Sequence, residues 1–484
     1  MSFTSAIFEK ERITLGGNDE WIVRGGRHLF ARLPEALRGV RQIGVIGWSS
    51  QAPAQAQNLR ESLAGSDIKV TVGLRAGSRS WTDAEETGFT AATGTLGEMY
   101  EVIAQSDMVL LLISDAAQVE NYDRIVAALR PGATLGLSHG FLLAHLDSNG
   151  KVFPATINVI GVCPKGMGRS VRRLYEQGRD VNGAGINCSF AVHQDIDGRA
   201  TDQALAWAIA IGSPCTFETT LVQEYKSDIM GERGILLGAV HGIAESLYRW
   251  FRTQGLAADD AFLESARSVT AAISKKISQG GILAVYESLD PQGRKLFEKA
   301  YVASYRPAAD LLHEIYDEVE SGNEVRSVIG AARRLDRFPM HEIAGTEMWQ
   351  VARHPKTNRE AQVNPVTAGI YVATMMAQAD LLREKGHPYS EIVNESIIEA
   401  VDSLNPYMDY RDVAYMVDNC STTARLGARK WAPRFDYAVT QTVLPTMESS
   451  ADPDLFRQFL DSDVHQALSV CLALRPPVEI AVLG

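Results

Sequence analysis

The stretch Gln42-Ile-Gly-Val-Ile-Gly47-Trp-Ser-Ser-Gln-Ala52 decides the fold of the first half of the chain. A short, mostly apolar run reaches a glycine, and a helical pattern over Ala54–Ala64 follows almost at once. This is where G-x-G-x-x-G stands in a dinucleotide-binding βαβ unit. Gly47 allows the tight turn, and the next helix points its first amides at a pyrophosphate. Ser49 and Ala52 occupy the second and third glycine positions. Alanine is an accepted variant at the third. Serine at the second is a departure, because the backbone must approach the phosphates closely there. An ordinary strand–helix turn reads much the same, so the loop takes its meaning from its surroundings.

Working outward, further strand patterns lie at Lys69–Leu74, Met108–Ser114, Thr134–Ser138, Asn158–Cys163 and Cys188–His193. Helical patterns at Leu96–Ala104, Asn121–Leu129 and Asp202–Ile211 separate several of them. Continuous apolar strands alternating with helices predict a parallel sheet covered on both faces, an α/β Rossmann-like domain. Beyond about Thr219 the strand signals fade. Long helical patterns take over at Glu224–Phe251, Ala258–Ile277, Gly293–Gly322, Pro365–Lys385 and Ser390–Leu404, with loops expected at Arg333–Pro339 and His354–Asn364. The boundary is placed near Phe217–Leu221, giving domains 1–219 and 220–484.

Composition fits this division. The chain has 484 residues, 45% hydrophobic and 22% charged, enough for two or three cores at roughly 150 residues each. A net charge of −12, without clustered Lys and Arg, argues against nucleic acid as a partner. The longest apolar run, near Val109–Ile113, is far short of the ~18 residues of a membrane span. The first residues show neither a signal-peptide core nor a transit-peptide composition. Five scattered cysteines without CxxC spacing suggest a reduced compartment.

The end of the second strand pattern addresses the cofactor. NAD-type folds carry an acid there for the ribose 2′-hydroxyl. This chain reads Gly73-Leu-Arg75-Ala-Gly-Ser78-Arg79-Ser80 instead. Arginine and hydroxyls suit a 2′-phosphate, so NADPH is expected rather than NADH. The plain alternative is a solvated basic turn.

Two acidic stretches stand out in the helical half. In Glu224-Tyr-Lys-Ser-Asp228-Ile-Met-Gly-Glu232 three acids recur every fourth residue and stack on one helical face. Like charges at that spacing oppose the helix. A solvated face would relieve this, but the adjoining Gly-Ile-Leu-Leu-Gly-Ala-Val reads as buried, and buried carboxylates need a cation or a base. The pattern recurs in Glu391-Ile-Val-Asn-Glu395-Ser-Ile-Ile-Glu399, where Glu391 is the member expected to face solvent. Two facing carboxylate helices make an all-oxygen site suited to Mg²⁺ or Mn²⁺, and no His/Cys cluster has Zn²⁺ spacing. The recurrence is a weak internal echo.

Together these segments resemble plant-type ketol-acid reductoisomerases. The matching stretches are Ile43–Ser62, Gly73–Ser80, Leu135–Leu143, Val162–Leu174, Gly183–Gly198, Tyr225–Ile243, Asn394–Pro406 and Met416–Phe435. Val-Cys-Pro-Lys165-Gly-Met-Gly, the run through Asp228 and Glu232, and Asp-Asn-Cys-Ser421-Thr-Thr-Ala-Arg carry most of the specificity. The resemblance implies an NADPH domain followed by an all-helical, duplicated and knotted domain. It implies alkyl migration and NADPH reduction of 2-acetolactate or 2-aceto-2-hydroxybutyrate, with two Mg²⁺ ions. It assigns Asp228, Glu232, Glu395 and Glu399 to the metals, places Glu224 near them, and gives Ser421 a contact with substrate. Lys165 corresponds to the active-site lysine, and His139 lies near the nicotinamide. Gly47, Ser49 and Gln51 form the cofactor loop, with Arg75, Ser78 and Ser80 gripping the 2′-phosphate. Ser49 departs from the glycine usual in the family. The proton acceptor stays open. The resemblance also implies a homodimer or tetramer, in a bacterial cytoplasm or a plastid stroma. A β-hydroxyacid dehydrogenase, which needs no metal, and a non-catalytic NADP-binding regulator are the alternatives.

Overall fold

A computed structural model describes residues 3–335, 337–343, 345–353 and 359–476. These form two compact units, one of residues 3–13, 19–225 and 474–476, the other of 14–18 and 226–473.

The first unit is built on a ten-stranded sheet in the order β1-β2-β10-β9-β8-β7-β6-β3-β4-β5. The strands are β1 (Glu11–Leu15), β2 (Asn18–Arg24), β3 (Gln42–Ile46), β4 (Lys69–Leu74), β5 (Leu96–Glu98), β6 (Met108–Leu111), β7 (Thr134–Leu137), β8 (Asn158–Pro164), β9 (Cys188–Gln194) and β10 (Cys215–Glu218). From β5 across to β8 every pairing is parallel. The interior strands β6, β7 and β8 are buried along their whole length, which their unbroken apolar sequences require of a sheet covered on both faces. The all-parallel expectation fails where β9 runs antiparallel to β8 and where β2 runs antiparallel to β10. Periodicity within a strand cannot encode its direction. From β3 the chain moves to β4 and β5, then returns to β6 on the other side of β3. That reversal opens a crevice at the carboxyl ends of β3 and β6, where open α/β sheets bind ligands.

Leu96–Ala104, read as one helix, begins as β5. Glu98 then caps the helix Met99–Gln105, its carboxylate accepting from the amides of Tyr100 (2.7 Å) and Glu101 (3.1 Å). Strands β1, β2 and β10 had no clear sequence signal, being short or largely polar.

The second unit is helical. Helix Pro291–Glu320 packs along Pro365–Glu384. Each has Pro at its first position, behind a side chain that accepts from its first turn: Asp290 from Gly293 N (2.6 Å), and Asn364 from Val366 N and Thr367 N (3.0 Å each). Three expectations need correcting here. Glu224–Phe251 is two helices, Leu221–Arg233 and Gly238–Thr253. The break falls where a Cβ at Gly234 would lie 2.2 Å from the Gln378 Oε1 atom, which instead accepts from Ile235 N at 3.0 Å. The apolar spacing continues through the break, so the sequence hides it. The region of Ser390–Leu404 is wound with wide i→i+5 turns at Asn394–Ile398 and Ala400–Leu404, on either side of Glu399. Such turns re-aim side chains and cluster at functional sites. Helix Asn323–Leu335 covers the start of the expected loop Arg333–Pro339. Of the other, His354–Asn364, residues 354–358 lie outside the described residues.

Candidate active site

The crevice in the first unit is lined by Gly47, Trp48 and Ser49 after β3, by Gly73, Leu74, Arg75, Ser78 and Ser80 at and beyond β4, and by Ile113, Ser114, Ala117 and Asn121 after β6. Gly47 has φ +109°, and a Cβ there would lie 2.7 Å from the Leu112 carbonyl, so the turn requires glycine twice over. Arg75, Ser78 and Ser80 thus share one cleft with Gly47 and Ser49. Gln51 lies beyond that lining and donates to the Gly166 carbonyl at 2.8 Å, tying the loop to the segment after β8. Ser49 is absent from the positive-φ residues, so its backbone is not in a glycine-only conformation. Its hydroxyl donates to the Leu112 carbonyl at 3.4 Å, a long and weak bond.

A second group forms at the ends of β7 and β8. His139 follows β7 and Lys165 follows β8; Glu224 enters from helix Leu221–Arg233. Glu224 is 1% exposed and Lys165 3%. The carboxylate accepts from the Gly140 amide at 2.7 Å and lies 3.2 Å from His139 Nδ1 and 3.8 Å from Lys165 Nζ. Burial alone would raise its pKa. The His139 ring, the Lys165 ammonium and the Gly140 amide act the other way and hold it at about 2. Gly140 was not singled out in the sequence. A Cβ there would meet the Leu221 carbonyl at 2.3 Å, so glycine is what lets the helix approach.

In the second unit, Asp228 and Glu232 lie on helix Leu221–Arg233, and Glu395 and Glu399 on the widely wound segment. Glu395 is fully buried. Cys420 lies within the electrostatic reach of three of the acids. Its thiol is pushed up to about 12, first by burial and then by the carboxylates of Glu232, Glu399 and Asp228. Ser421 Oγ donates to Glu232 Oε1 at 3.4 Å. Buried hydrogen bonds tie the two acidic segments together. Gln378 donates to Ser396 Oγ (2.9 Å) while accepting from Ile235 N. Ser227 donates to Glu391 Oε1 (2.6 Å), and His387 Nδ1 lies 2.9 Å from the same oxygen. Glu391, expected at the solvent face, is 0% exposed. The physical reason is that Ser227 and His387 solvate it internally. Ser227, Gln378 and Cys420 gave no signal in the sequence, because a lone Ser, Gln or Cys on a helix reads as ordinary core or surface.

A crevice at the carboxyl ends of β3 and β6 lined by Arg75, Ser78 and Ser80, in a chain whose helical unit carries closely spaced carboxylates, fits a nicotinamide-dependent oxidoreductase. Comparison with known proteins sharpens this. Residues 37–216 match the family described as "Acetohydroxy acid isomeroreductase, NADPH-binding domain", and 221–360 match "Ketol-acid reductoisomerase, C-terminal domain". The chloroplastic ketol-acid reductoisomerase of Spinacia oleracea is 58% identical over 494 residues, 99% of this chain and 83% of that protein. That of Pisum sativum is 57% identical over 100% of this chain and 85% of its own length. A solved structure of an NADH-preferring ketol-acid reductoisomerase from an uncultured archean aligns with TM-score 0.55 at 24% identity, over 64% of this chain and 92% of that one, a likeness of fold. The chain belongs to the ketol-acid reductoisomerase family: it is an NADP-dependent enzyme of branched-chain amino-acid biosynthesis that isomerises and reduces its substrate.

Two measurements follow from this geometry. Glu391→Leu removes the acceptor shared by buried Ser227 and His387, at about 1–3 kcal/mol for each polar group left short of a partner. A clear drop in thermal midpoint is expected, whereas an unchanged midpoint would mean that Glu391 faces water after all. Ser49→Gly removes a side chain from the lining of the cleft at the loss of one weak bond. NADPH titrated by calorimetry should bind modestly tighter, and weaker binding would make the Ser49 hydroxyl a phosphate ligand.

Proposed function

We propose that this enzyme works with Mg²⁺ held by Asp228, Glu232, Glu395 and Glu399, and that it converts 2-acetolactate or 2-aceto-2-hydroxybutyrate to the corresponding 2,3-dihydroxy-3-methyl carboxylates. The observation that carries this reading is that Ser421 donates to Glu232 while the charges of Glu232, Glu399 and Asp228 all act on the adjoining Cys420 thiol. The donors are all oxygen and mostly anionic, which suits a hard divalent cation and not Zn²⁺. When bound, the cations would supply Lewis acidity to the 3-keto group and counter-charge to the 2-hydroxyl as it loses its proton. NADPH would supply the hydride that reduces the rearranged ketone.

The chain's own residues do the rest. Lys165 presents a buried ammonium that can stabilise a developing oxyanion. Glu224, held ionised, keeps that ammonium and the His139 ring in place. Ser421 offers a hydroxyl to substrate from the start of helix Thr422–Ala438, where it also caps the Ala424 amide at 3.0 Å. Arg75, Ser78 and Ser80 offer one cation and two hydroxyls to a 2′-phosphate, with no carboxylate among the residues lining their cleft. They support NADPH over NADH.

The same reading takes residues 1–219 and 220–484 as the working domains, the second carrying a duplicated helical unit with a knotted path. The recurrence of three spaced acids in two helical segments supports the duplication. It also includes a homodimer or tetramer and a plastid stromal location, the latter supported by the chloroplastic relatives of spinach and pea.

Asp228→Asn tests the assignment. It keeps the side-chain shape and removes the charge. Turnover should be lost with the fold retained by circular dichroism, whereas wild-type activity in Mg²⁺ would rule Asp228 out as a ligand.

A further inference from the structure

Arg233 closes helix Leu221–Arg233 one residue after Glu232, and its side chain is 0% exposed. A fully buried guanidinium is costly unless its geometry is fixed by anions. Two carboxylates fix this one. Arg233 Nη1 donates to Glu232 Oε2 at 2.8 Å, and Arg233 Nε donates to Glu324 Oε2 at 2.9 Å. Neighbouring helical residues do not normally face each other. The contact with Glu232 therefore depends on the guanidinium being turned back and held there.

What holds it lies on other elements. Glu324, 1% exposed, stands on helix Asn323–Leu335 and is held by two further donors. Burial would raise its carboxyl, while Arg233, Lys430 and Trp431 keep it below the usual carboxylate range. Its Oε1 accepts from Lys430 Nζ at 2.5 Å and from Trp431 Nε1 at 3.0 Å. On helix Thr422–Ala438, Gly427 leaves the space the guanidinium fills: a Cβ there would lie 2.6 Å from Arg233 Cζ and 2.8 Å from Nε. Arg233 Nη2 is buried without a hydrogen-bond partner among the described residues. The position is thus set by the two carboxylates and the glycine notch and not by full satisfaction of the donors. The result is a line of alternating charge, Glu232, Arg233, Glu324 and Lys430.

We propose that Arg233, clamped by Glu324 and the Gly427 notch, is a positioning residue that fixes the Glu232 carboxylate by one oxygen and so sets its geometry for cation binding. The inference rests on the reading of Glu232 as a Mg²⁺ ligand. Groups that orient a metal-binding side chain change metal affinity by 10–100-fold when removed. Arg is suited to the task because its rigid fork can serve two carboxylates at once, which a lysine cannot reproduce.

The test is Mg²⁺ titration of the full-length protein by calorimetry, with the thermal midpoint in EDTA measured alongside. Gly427→Ala and Glu324→Gln perturb the clamp from two sides, so that one remains informative should the other fail to fold. Gly330→Ala is the control: it too replaces a helical glycine, but its Cβ meets nothing within 4 Å. Both clamp variants should weaken Mg²⁺ about 10-fold while Gly330→Ala matches the unmodified protein. A purely structural role would lower the EDTA midpoint and leave Mg²⁺ affinity unchanged, and that result overturns the inference. If the unmodified protein takes up no Mg²⁺, the metal reading falls first and the inference with it.

Discussion

A carboxylate taken out of water must find positive charge or hydrogen-bond donors, and helix Leu221–Arg233 carries three carboxylates along one face. Glu224 finds a histidine, a lysine and a backbone amide. Glu232 finds Arg233 and Ser421. Asp228 shares with Glu232 and Glu399 the field that raises the Cys420 thiol. Much of the surrounding architecture follows from meeting this requirement. Glycine at 140 admits the helix, glycine at 427 admits the guanidinium, and Gln378 secures the turn where the helix ends.

The family assignment and this electrostatic account support each other without being the same statement. Membership gives the reaction and the nicotinamide cofactor. It does not say how a particular chain stabilises its acids. Here the answer is internal solvation: Glu391, Ser227 and His387 form one buried cluster, and Arg233 with Glu324 forms another. Cofactor preference is likewise a local matter, set by the side chains at the end of the second strand of the nucleotide-binding unit. In this chain the residues at that position are Arg75, Ser78 and Ser80, which line the cleft with Gly47 and Ser49.

The sequence made the interior strands and the long helices legible because hydrophobic periodicity is a local signal. Strand β6 and helix Pro365–Glu384 fall within a few residues of their expected bounds. Direction, register and helix breaks depend on partners far along the chain, so the antiparallel β8–β9 pair and the break at Gly234 could not be read. The candidate site divides in the same way. Acids spaced every fourth residue announce themselves, as does a loop with arginine where an acid is usual. Glu391 was misassigned because its sequence neighbours cannot show that Ser227 and His387 wait for it, and Arg233 looked like any charged residue ending a helix. Lys165, His139 and Ser421 were identifiable only through the resemblance, since nothing in their spacing distinguishes them.

The most direct test of the account is NADPH oxidation followed with 2-acetolactate as substrate, in EDTA and then after Mg²⁺ is restored. The carboxylate site predicts no turnover in EDTA and full recovery with Mg²⁺. Sustained 2-acetolactate-dependent oxidation in EDTA would contradict it.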